Sequence, residues 1–192
     1  MYLFFDTETT GIPRNYKAPV SDLGNWPRVI QLAFLLTDAA GVPREAKQFL
    51  IKPEGFTIPA DATRVHGITT EHALAKGVAL GAALAEFLAC LQSAKTLVAH
   101  NMAYDENVLG AEFLRAKLAN PLPKAKRFCT MQAATNFCAI PGRYGNFKWP
   151  TLSELHMKLF GKDFKGAHGA QPDVGACATC FFAMRAKGII AG

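Results

Sequence analysis

No apolar run in this chain approaches the roughly 18 residues that a membrane-spanning helix needs, so a helical membrane protein is set aside. Cysteine is sparse and odd in number: Cys90, Cys129, Cys138, Cys177 and Cys180. One Cys-x-x-Cys is present, but no second Cys or His pair stands at zinc spacing, which argues against both a disulfide framework and a structural zinc site. Cys177 and Cys180 fall in an Ala-rich helical stretch and read as small buried thiols. Acids are the scarcer charge, 15 against 21 Lys and Arg, and the net charge of +6 suits a polyanionic partner without requiring one. The first residues show no basic leader and no Ala-x-Ala cleavage site, and Asp6 interrupts any signal core. A reducing, cytoplasmic location without membrane contact is the expectation. Repeats, low-complexity tracts and linkers are absent too, so residues 1–192 read as one domain.

What is present is organised around the first strand, Tyr2-Leu3-Phe4-Phe5-Asp6-Thr7-Glu8-Thr9-Thr10-Gly11. Four apolar residues read as a buried strand that Gly11 ends. Alternation sends Asp6 and Glu8 out of one face and Thr7 out of the other. Two acids about 4 Å apart repel by roughly 4 kcal/mol at an effective dielectric near 20. A divalent cation removes that cost, and hard carboxylate oxygens suit magnesium or manganese. The spacing alone also fits a strand running out into a solvated turn.

Residues 12–28 form an irregular stretch with Arg14, Tyr16, Lys17, Trp26 and Arg28, either a surface loop or a rim for nucleic acid. Val29–Thr37 and Val42–Ile51 are predicted to pair as a hairpin across Asp38–Gly41. A helical turn is expected near Asp61, and Leu80, Leu84, Phe87, Leu88 and Leu91 mark a helix from about residue 79. A buried strand over 96–99 precedes a helix over roughly 103–118; a short strand near Phe128 precedes another over about 131–139. Thr151, with Glu154 three residues on, caps a helix to Phe160, and a last helix is expected from Asp173 to about Lys187. Three strands followed by alternating helix and strand indicate an α/β fold with a mixed sheet.

Two further acids stand where a sheet-edge site would collect them. Asp105 lies in the first turn of its helix, and Asp173 opens the last helix directly after Pro172. Each is equally explained as a favourable charge at a helix start. His168 sits five residues before Asp173 among Gly and Ala, where a solvated loop histidine is the simplest reading.

Taken together, Asp6-Thr7-Glu8-Thr9-Thr10-Gly11, Ala99-His100-Asn101-Met102-Ala103-Tyr104-Asp105 and His168-x4-Asp173 resemble the three ordered motifs of the DEDDh, DnaQ-like 3′→5′ exonucleases of the ribonuclease H-like superfamily. Val65–Thr69 resembles the family's His-Gly-Ile segment and Val29–Ala33 its second strand; Tyr104 stands where phenylalanine is common. The resemblance implies a ribonuclease H-like mixed sheet flanked by helices. It also implies two Mg²⁺ or Mn²⁺ ions held by Asp6, Glu8, Asp105 and Asp173, with His168 as general base. Thr9, Thr10 and Gly11 would offer backbone N–H groups and hydroxyls to the terminal nucleotide, with His66 and Ile68 beside its base or sugar. Tyr104, Trp149 and Lys148 would hold single-stranded substrate by stacking and phosphate contact. The expected activity is hydrolysis at single-stranded 3′ ends, with DNA preferred, in proofreading or repair. RNA 3′-end trimming is the nearest alternative, and a silent nucleic-acid-binding or polymerase-docking module is a second. A free enzyme and a DNA polymerase subunit read alike at this level.

Overall fold

The apolar opening does form a strand, and it lies at the middle of the sheet. In the computed structural model, which describes residues 1–165 and 169–191, β1 (Tyr2–Thr9) pairs antiparallel with β2 (Val29–Thr37) and parallel with β4 (Thr96–Ala99). Strand β3 (Pro43–Leu50) adds antiparallel to β2, and β5 (Arg127–Cys129) adds parallel to β4, giving the order β3-β2-β1-β4-β5. The short connection over residues 38–42 permits the antiparallel hairpin, whereas the parallel steps need helical crossovers. The chain supplies them as α1 (Ala60–His66), α2 (Thr70–Lys76) and α3 (Leu80–Ser93) before β4 and α4 (Met102–Arg115) before β5. Then follow α5 (Thr130–Cys138), α6 (Leu152–Phe160) and α7 (Ala170–Ala186).

Alternation along β1 divides the core in two. Leu3 and Phe5 face α3 and α4, packing with Phe87, Val108, Leu109 and Phe113, while Phe4 faces α7, with Val174, Cys177 and Phe181. This division later decides where each acid arrives. Cys177 and Cys180 are buried on the α7 side, as small apolar groups.

Three expectations change. A second short helix, α2, follows α1; the Thr69 hydroxyl caps it by accepting from the His72 N–H, and Thr70 accepts from the Ile58 N–H. Helix α7 begins three residues before Asp173, because Pro172 occupies its first turn, where an N–H has no intrahelical partner to lose. The first bond of that helix runs from the Asp173 N–H to the Gly169 carbonyl. Trp26 does not form a nucleic-acid rim: it is buried in the larger core and donates its indole N–H to the Pro19 carbonyl.

The 12–28 stretch is an organised loop clamped to α4. The Glu112 side chain is fully buried, and its Oε1 accepts from Arg28 Nε (2.8 Å), the Val29 N–H (2.9 Å) and Arg115 Nη1 (3.0 Å). Arg115 in turn donates to the carbonyls of Leu23, Trp26 and Pro27. Removing one partner of such a buried cluster strands the others, at a cost of about 3–5 kcal/mol. Glu112→Ala is therefore expected to lower the unfolding free energy by about 3 kcal/mol, read from urea denaturation. A loss below about 0.5 kcal/mol would show that the cluster does not hold the loop.

Candidate active site

Asp6 and Glu8 leave β1 on the face that carries Phe4, and α7 crosses that face. Asp173, in its first turn, is thereby brought to them: one carboxylate oxygen from each of Asp6, Glu8 and Asp173 lies within 4.8 Å of the others. Gln31 helps to set the meeting point. It stands opposite Glu8 on β2, and its Oε1 accepts the Ala170 N–H at 3.1 Å, anchoring the start of α7 to the sheet. A lone amide in the otherwise apolar Val29–Leu36 run was the available signal for this role.

Asp105 comes from the other side of the sheet. Thr7 points toward α4, and both its N–H (3.1 Å) and its hydroxyl (2.7 Å) donate to Asp105 Oδ1. That pairing holds the Asp105 carboxylate behind the trio, 3% exposed and close enough to raise the Asp6 pKa. Thr7, a residue between two acids in the strand, thus sets the position of the fourth.

Burial and like charge together disfavour ionisation here. The Asp6 carboxyl is pushed well above the usual range, first by desolvation and then by Asp105, Asp173 and Glu8. Desolvation and Asp173 raise Glu8 to about 7. Asp105 also rises to about 7 through burial, although the two Thr7 hydrogen bonds pull the other way. Hard oxygen donors converging under mutual repulsion are the donor set that a divalent cation of the Mg²⁺ or Mn²⁺ type neutralises.

The turn after β1 is fixed from within. A register shift at Glu8/Thr9 bends the strand end, and Gly11 adopts φ +143°, which side-chain-bearing residues rarely take. The Tyr104 hydroxyl donates to the Gly11 carbonyl at 2.7 Å and lies 2.6 Å from the Thr9 hydroxyl. The Thr10 N–H donates to the Arg28 carbonyl, and its hydroxyl accepts the Arg28 N–H. The Thr9 and Thr10 hydroxyls thus both take part in shaping the turn. The hydroxyl that Tyr104 carries in place of phenylalanine is one of the clamps on this turn. Beside it, His66 Nδ1 accepts the Ile68 N–H, and burial lowers the His66 pKa. Ile68 is largely buried with Ile30, Ile58 and Ala73. His168 lies outside the described residues.

On the far side of the acids, His100 is the residue that motif reading passed over. Its Nε2 lies 3.0 Å from the Pro150 carbonyl and its Nδ1 3.0 Å from the Thr130 hydroxyl. Burial depresses its pKa to about 4, so the neutral ring donates from Nε2 to Pro150 and accepts from Thr130 at Nδ1.

The raised carboxyls have a consequence for stability. Their folded-state pKa values exceed the unfolded ones, so their contribution is complete below about pH 4 and is lost as the pH rises through about 7. In chelator, Tm is expected to fall between about pH 5 and 8, and Mn²⁺ or Mg²⁺ to restore it by an increment that grows over that window. Thermal melts with and without ion test this; an increment independent of pH would contradict the crowding of these acids.

The geometry can be set beside known proteins. Residues 3–181 match the RNase_T exonuclease family model. No curated protein matches the chain by sequence. Among solved structures, Escherichia coli Exonuclease I in complex with a dA16 oligonucleotide is similar over 96% of this chain and 40% of its own, with TM-score 0.74 and 21% identity. Its complex with a dT13 oligonucleotide gives TM-score 0.77 at 22% identity, over 96% of this chain and 40% of its own. The zinc-bound Exonuclease I–ssDNA complex gives 0.75 at 23%, over 97% and 40%. The chain thus spans about 40% of the length of these structures, and the likeness is one of fold. With the family model covering nearly the whole chain and the acids of its motifs drawn to the end of β1, the chain belongs to the exonuclease family, the DEDDh, DnaQ-like group of the ribonuclease H-like superfamily.

Proposed function

We propose that the chain is a divalent-metal-dependent 3′→5′ exonuclease acting on single-stranded DNA. The observation that carries this reading is the convergence of Asp6, Glu8 and Asp173 oxygens within 4.8 Å, with Asp105 behind them. Asp6, Glu8 and Asp173 would hold the ions directly, and Asp105, fixed by Thr7, would complete the four negative charges that match two divalent cations. Two such ions supply charge stabilisation for the attacking and leaving oxygens of an in-line displacement. His168 takes the proton of the attacking water, a task suited to an imidazole that titrates near neutral pH. Water adds to phosphorus, the P–O3′ bond breaks, and a 5′-mononucleotide and a shortened 3′-hydroxyl strand result. The Thr9–Gly11 turn, with Tyr104 behind it and His66 and Ile68 beside it, receives the terminal nucleotide through backbone and apolar contact. The formal charge of +6 supports attraction of the strand.

Incubating 5′-labelled single-stranded DNA and RNA with Mg²⁺, Mn²⁺ or chelator tests the reading. A ladder shortening from the 3′ end, faster on DNA and absent in chelator, is expected. Asp6→Asn and Asp173→Asn are each expected to reduce the rate by about 10²–10³-fold while the fold survives, as loss of a principal charge-stabilising group does. Cleavage in chelator, or near-normal turnover in either variant, would overturn it, and preference for RNA would reassign the substrate.

A further inference from the structure

The acids stand between two different walls. On one side are the Thr9–Gly11 turn, His66 and Ile68, already assigned to the terminal nucleotide. On the other a cavity of about 680 Å³ opens, reaching from Asp6 and Asp173 to Trp149, Phe164 and Met131. A phosphodiester has two ester arms. If its phosphorus sits at the acids and one arm enters the first wall, the other arm leaves toward this cavity. The volume lies in the range that accommodates a small organic ligand, with apolar lining and a few polar groups.

Trp149 is the conspicuous member. It is 61% exposed, more than a large aromatic needs for packing, yet its backbone is held on both sides. Before it, the Lys148 N–H donates to the Ile140 carbonyl and the Lys148 ammonium pairs with Glu154 at 2.6 Å. After it, the Pro150 carbonyl accepts from His100, and Thr151 exchanges reciprocal capping bonds with Glu154 at the start of α6. The neighbouring Asn101 takes a left-handed conformation (φ 72°), one that asparagine tolerates, and lines the same cavity. An exposed aromatic on a backbone pinned at both ends is a stacking surface prepared in advance, and bases stack on such surfaces irrespective of sequence.

We propose that this cavity seats the nucleotide on the leaving side of the scissile bond, with Trp149 as its stacking platform and His100 as the residue that positions that platform. The assignment rests on the exonuclease reading above. The nucleotide seated here keeps its O3′ when the P–O3′ bond breaks, takes up a proton there, and becomes the new 3′ end. The first wall meanwhile releases the 5′-mononucleotide.

Two substrates separate the walls. Thymidine 5′-monophosphate p-nitrophenyl ester carries the terminal nucleotide but puts p-nitrophenolate in place of the leaving nucleotide; a single-stranded oligothymidylate carries both. For Trp149→Ala, the ratio of kcat/KM on the oligonucleotide to that on the ester is expected to fall on the order of tenfold, through KM. Trp149→Phe is expected to recover most of the ratio, because it keeps a stacking face. His100→Ala is expected to lower the same ratio. An unchanged ratio in Trp149→Ala, or equal losses on both substrates, would overturn the subsite while leaving the exonuclease reading intact. Wild-type protein that hydrolyses neither substrate with Mg²⁺ or Mn²⁺ would overturn that reading, and the subsite with it.

Discussion

Carboxylates crowded at the end of a buried strand are the constraint on which this structure turns. Asp6, Glu8 and Asp173 approach within 4.8 Å, and Asp105 stands behind them almost without solvent. Each like-charged pair at such a separation costs on the order of 4 kcal/mol where the effective dielectric is near 20, and desolvation adds to that. Asp6, Glu8 and Asp105 respond by holding their protons well above the usual carboxylate range. No local preference would assemble such a cluster. It exists because stronger packing forces the elements that carry it together: Phe4 against Phe181 and Val174 on one face, Leu3 and Phe5 against Phe87 and Phe113 on the other.

Helix α4 is the spine of the supporting shell. Four residues along it each do a separate task. Asp105 meets Thr7, Tyr104 holds the Gly11 carbonyl, Glu112 gathers Arg28 and the Val29 N–H, and Arg115 grips the carbonyls of Leu23, Trp26 and Pro27. One rigid element therefore sets the fourth acid, the turn after β1 and the loop from residue 12 to 28. On the opposite side of the acids, His100 holds the backbone beside Trp149 through Pro150. The acids thus sit between two braced walls, an arrangement that leaves little reorganisation for a bound strand to impose.

How much of this was legible beforehand differs by element. Strands β1 and β2 and the helices α3 and α6 carry strong local signals, namely apolar runs, a helical stripe and a Thr-x-x-Glu cap, and they form where those signals fall. Helix α2 and the true start of α7 were missed. The first is short and has no apolar stripe, and the second hides behind Pro172, which forbids a helix interior but not a first turn. The fold class followed from element order, since strands joined by helical crossovers have few ways to pack.

The sequence by itself determined which acids could act and that Asp6 and Glu8 share a face, because alternation along a strand is a property of the backbone alone. It determined too, through three ordered motifs, the family to which the chain belongs. Only the tertiary structure decided that Asp105 arrives from the face opposite Asp6, that the Thr9 and Thr10 hydroxyls turn inward, and that Trp26 is core while Trp149 stands exposed beside the acids. Those outcomes depend on partners distant in the chain, such as Arg28 for Thr10, 18 residues away, and Asp105 for Thr7, 98 residues away. A side chain's role there is set by what packing brings to it, and no local pattern carries that information.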